Sequence, residues 1–83
     1  MKLNDDLVKR LSKVYEPSTM MTIRFRGNDV AFKTDESGNP VLAFVGKMTE
    51  DGTIKGERFT RILKYDQNGK RIKDHWDAKG RVN

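Results

Sequence analysis

Apolar residues at the start of the chain recur every three or four positions: Leu3, Leu7, Val8, Leu11, Val14 and Tyr15. That spacing puts them on one face of a helix. Asn4 can cap its N-terminus, and Asp5 and Asp6 occupy the first turn, where the helix dipole favours carboxylates. Pro17 bars its neighbour from the α region and so ends the run. The pattern predicts a helix over about 4–15, resting its Leu/Val stripe on the rest of the fold. Attachment to a membrane surface fits poorly. The polar face mixes Asp5, Asp6 and Glu16 with Lys9, Arg10 and Lys13, where anionic lipid would call for bases alone.

After Ser18 the period falls to two. Met21, Ile23 and Phe25 alternate with Thr22, Arg24 and Arg26, and Gly27-Asn28 follows as a turn whose residues tolerate positive φ. Val30 and Phe32 share the inner side of the next strand. "VLAFVGKM" is almost continuously apolar, as a strand covered on both faces would be. "IKGERFTRILKY" sets Phe59, Leu63 and Tyr65 against Arg58, Thr60 and Ile62, with Gly56 as a bend or bulge. "RIKDHW" places Ile72 and Trp76 inward, with Arg71, Lys73 and His75 facing away.

The connections share one chemistry: "TDESGN", "TEDGT", "YDQNGK" and "WDAKGR". In such turns Asp accepts from the backbone two residues on, and Gly supplies the positive φ. "YDQNGK" and "WDAKGRV" resemble single units of the tyrosine-aspartate repeats of large bacterial wrapping proteins, over about eighteen residues. Two copies do not make an array, and turn chemistry accounts for both. A calcium loop fails on position: counted from Asp66, Gly69 falls at position 4 where an EF-hand loop has its Gly at 6, Lys70 takes ligand position 5, and Asp77 stands where a bidentate Glu is needed at 12.

One helix followed by five strands with short connections implies an antiparallel meander. The expected class is α+β: one domain over 1–83, with a strongly bent five-stranded sheet over about 20–77. It would form a half-barrel or small barrel plugged by the helix, followed by a short C-terminal tail. Chains this short bury only about 60% of their unfolded surface, so the core must be small.

Composition narrows the chemistry further. The absence of cysteine removes disulfides, thiol nucleophiles and Cys-based zinc sites. The single histidine, His75, and serines at 12, 18 and 37 give no nucleophile–base–orienter set. The sequence therefore predicts a non-enzyme with no metal and no cofactor. No run approaches the ~20 apolar residues of a membrane span, and the charged N-terminus is unlike a signal peptide. The expected location is cytoplasmic, or exported if a leader has been removed.

The net charge of +5 is lopsided. Residues 1–53 carry eight bases and eight acids, whereas residues 54–83 carry nine bases and four acids, so the whole excess lies in the last thirty positions. Such a field draws an anionic partner. The function expected is a binding domain that takes a polyanion, nucleic acid first, through a basic sheet face bearing Arg58, Arg61, Lys64, Arg71 and Lys73. The alternative is a structural or protein-interaction module without a nucleic-acid role, open to homodimer formation through a bare sheet face or edge.

Overall fold

A computed structural model describes residues 3–82. Helix α1 (Asp5–Leu11) precedes strands β1 (Met20–Phe25), β2 (Asn28–Thr34), β3 (Pro40–Met48), β4 (Ile54–Tyr65) and β5 (Arg71–Val82). The strands form one antiparallel sheet in chain order, β1 to β5. The expected class and meander are thus present. The sheet does not close into a barrel: β1 and β5 are both edges.

Alternation puts one side of the sheet under the helix. Leu3, Leu7 and Leu11 meet Val30, Phe32, Ala43 and Phe59 in a single buried cluster. Complete burial of side chains such as Leu11 and Phe32 contributes about 1.5–3 kcal/mol each. Met21, Ile23, Phe25, Val45 and Trp76 pack around it. No described element covers the opposite side of the sheet. Leu42 and Phe44 lie there half-buried, so β3 is not covered on both faces despite its apolar run. Its register explains this, since Ala31 faces Phe44 and Lys33 faces Leu42, whereas Phe32 faces Ala43 in the core.

The helix is shorter than its periodicity implies. The backbone N–H of Ser12 donates to the Lys9 and Arg10 carbonyls, tightening the last turn. The chain then leaves: Tyr15 N–H donates to the Gly38 carbonyl, its hydroxyl donates to the Arg10 carbonyl, and its ring tilts against Phe32. Tertiary contacts therefore end the helix well before Pro17. Val14, counted in the stripe, is 69% exposed.

Three connections are built on the expected turn. In 35–39 and 66–70 the opening Asp donates its N–H to the fifth carbonyl, and its Oδ1 accepts from the third and fifth N–H groups. Thr49–Thr53 is closed the same way by the backbone, with Asp51 as the internal acceptor. The β1–β2 turn sits one residue earlier than expected, on Arg26 and Gly27, which both have positive φ.

The fourth copy of the motif is not a turn. Asp77 through Arg81 runs inside β5, which continues to Val82 where a tail was expected. Phe59 pairs with Ala78 but Glu57 with Arg81, so β5 holds one extra residue, and Gly80 takes φ +99° within that bulge. Asp77, the residue that would cap a turn, instead places its Oδ1 2.7 Å from His75 Nε2. Gly56 lies in unbroken β3–β4 register opposite Gly46 and is not itself the bulge. The two strands approach so closely there that a Cβ on Gly46 would come within 2.0 Å of the Lys55 carbonyl oxygen.

Candidate functional site

A second bulge decides where the bases point. Lys64 pairs with Lys73, but Tyr65 pairs with Arg71, leaving Ile72 as the extra residue. A one-residue slip in a period-two element exchanges its faces. Ile72, expected inward, is 64% exposed. Arg71, expected outward, turns inward, where its guanidinium donates to the Tyr65 hydroxyl and Asn39 Oδ1 and lies 3.6 Å from Asp74.

Arg61 is the larger correction to the expected basic face. It lies on β4 between Phe59 and Leu63, pairs with Trp76, and has a fully buried side chain. Its Nε and Nη2 donate to the two oxygens of Asp74 at 2.7 and 2.8 Å. Its Nη1 donates to the carbonyls of Leu11 and Pro40, both at 3.1 Å. A guanidinium is suited to this because its planar fork can serve a carboxylate and further acceptors together. These bonds hold the Asp74 carboxyl below the usual carboxylate range. Arg61 ties the helix C-terminus, the start of β3 and β5 together, and offers no free donor face to a ligand. Its place between two inward apolar residues was the signal, and parity alone was enough to read it.

The other three predicted residues share the bare face. Arg58, Lys64 and Lys73 are exposed, and cross-strand pairing aligns them with Phe44, Thr60 and Ile62. Two bases from the neutral half of the chain join them, Arg24 on β1 and Lys33 on β2. Phe44 stands directly opposite Arg58. The sequence marks Arg24 as an outward base but does not bring Lys33 or Phe44 to this face, because the outward members of β1–β3 become neighbours of β4 only once the register is set.

The acids of this face are committed. Asp29 bonds Arg24 at 3.3 Å and accepts from Met48 N–H, and Asp77 is held by His75. Arg58, Lys64, Lys73 and Lys33 have no ion-pair partner among the described residues. Lys64 and Lys73 even oppose each other directly, an arrangement that costs stability.

Beyond Thr60, β4 pairs with β5 alone, so the two strands and their turn project as a two-stranded ribbon carrying Lys64, Lys70 and Lys73. The described residues contain no cluster of three or more His, Cys, Asp or Glu able to hold a metal, and no helix long and apolar enough to cross a membrane. No protein-family model, curated protein sequence or solved structure matches this chain.

Proposed function

We propose that this protein binds single-stranded nucleic acid on the sheet face opposite the helix. The observation that carries the reading is the unopposed Lys64–Lys73 pair, with Arg58 on the same face and every acid there already engaged. Local rules are broken most often where function requires it, and a polyanion would relieve the repulsion. Arg58 and Lys64 lie six residues apart on one strand, about 20 Å, so they can follow a backbone of phosphates. Phe44 beside Arg58 offers a base a ring edge and a guanidinium plane, the two features that stack bases without reading sequence. Arg61 and Arg71 leave the binding set and become supports beneath it.

The test is a polarisation titration with short single-stranded RNA and DNA at several salt concentrations. Binding should weaken steeply with salt. Replacing Arg58, Lys64 and Lys73 with Gln should flatten the log–log slope by about two to three units, across all sequences. No binding at low salt, or an unchanged slope in a folded triple variant, refutes the reading.

A further inference from the structure

The helix does not cover the sheet to its edge. A cleft of about 350 Å³ opens between α1 and β5, with Leu3, Val8, Phe59 and Trp76 as its apolar walls. At about 30 Å³ per water it has room for roughly a dozen solvent molecules, hence for a large apolar side chain. One side is formed by five consecutive residues of β5, Asp74 to Ala78. Those residues belong to both faces of the strand, so the side of the cleft is the strand edge itself.

Among the described residues no strand pairs with that edge, and its regular part is short. Bulges interrupt β5 at Ile72 and again near Gly80, leaving Lys73–Ala78 in uninterrupted register with β4. Bulges at both ends blunt an edge against indiscriminate pairing. The stretch between them is the one that borders the cleft. Asp5 and Asp77 stand at its rim in a chain of net charge +5. The site is thus apolar inside, with the Asp5 carboxylate at its mouth and Asp77, which also meets His75, reaching it from the far face across the strand edge.

We propose that β5 accepts an extended segment of a partner protein as a sixth strand over Lys73–Ala78. The segment places an apolar side chain in the cleft and, two residues along on the same side, a Lys or Arg against the acidic rim. Main-chain pairing supplies affinity in this mode, and the pocket for alternate side chains supplies specificity. A second copy fits less well. Its β5 would bring another acidic rim against the first, and its β1 would offer Met21, Ile23 and Phe25, which already pack in its own core. The cleft lies on the helix side, away from Phe44, so oligonucleotide results leave this inference untouched.

The probes are capped seven-residue peptides of Ser and Thr around a central Leu-Thr-Lys, with Ile and Phe versions, titrated into isotope-labelled protein by NMR. Amide shifts should concentrate at Lys73–Ala78 and the Trp76 indole. Replacing the Leu by Ser, or methylating alternate peptide amides, should abolish them. Asp5→Lys should weaken binding of the Lys peptide about two- to fivefold while leaving a Ser-for-Lys peptide unaffected. The proposal falls if no peptide shifts these amides at millimolar concentration, or if amide methylation makes no difference. It also falls if light scattering shows a dimer whose formation shifts the same resonances, which would put a second copy on the edge.

Discussion

Arg61 shows how one side chain can change role between sequence and structure. On a list of bases it is a ligand contact; in the fold it is a buried tie with four hydrogen bonds. Its removal strands two carbonyls and the Asp74 carboxylate together, so Arg61→Ala should cost about 3 kcal/mol or more. Urea unfolding measures this, and a loss below about 1 kcal/mol would return Arg61 to the surface set. Asp74 carries the matching pH dependence. Its folded pKa is depressed, chiefly by the Arg61 hydrogen bonds, so its contribution is complete above the ordinary value near ~3.9 and is lost as pH falls through the folded one. Asp51, lowered to about 2 by the Thr49 and Thr53 side chains, acts in the same window. The melting temperature should therefore hold down to pH about 4 and drop between about 4 and 2, and Asp74→Asn should flatten part of that drop.

At the scale of elements, small departures from ideal period decide what faces where. The bulge at Ile72 exchanges an expected core residue for a base, and the bulge near Gly80 turns an apparent hairpin motif into strand. The helix ends where Tyr15 finds Gly38, because that contact outweighs three more residues of helix. Gly46 and Gly56 mark the tightest approach in the sheet, and space matters there more than φ. Gly46→Ala should cost about 1–3 kcal/mol or more, because its Cβ would strike the Lys55 backbone. Gly69→Ala, in a turn with φ +81° and no atom within 4 Å of the added Cβ, should cost about 1–2 kcal/mol from backbone strain alone. Thermal unfolding checks both, and a loss at Gly46 below about 1 kcal/mol would contradict the close approach.

The whole molecule is elongated, 45 × 25 × 20 Å, because β4 and β5 each run 12 residues, about 40 Å. Only part of that hairpin has a third strand and the helix beside it. The helix side of the sheet holds the core and the acid-rimmed cleft, while the other side holds the free bases. Stability should follow the same division. Amides of the ribbon between Lys64 and Arg71 should exchange fastest within the sheet, and those of Val30, Phe32, Ala43 and Phe59 slowest. Hydrogen exchange checks this residue by residue, and a ribbon protected as strongly as the core would mean something unseen in the monomer covers it. The same division governs the binding test, since only outward bases can be replaced without weakening the fold.

The local code was legible wherever neighbours in sequence carry the physics. Asn4 caps the helix by accepting from Asp6 N–H, three turns close on the Asp and Gly that announce them, and alternation separates Ile23, Phe25, Val30 and Phe32 from their outward neighbours. These depend on torsion preferences and periods of two or 3.6, which a few residues express completely. Register does not. Whether "WDAKGR" turns or continues depends on whether β4 still runs beside it, and the length of α1 depends on a carbonyl at Gly38. The side on which Arg71 and Ile72 emerge depends on one extra residue against β4. Each is a competition between a local preference and a contact with a distant strand. Only the assembled sheet, with its helix on one face, could decide which base is a tie and which remains free for a partner.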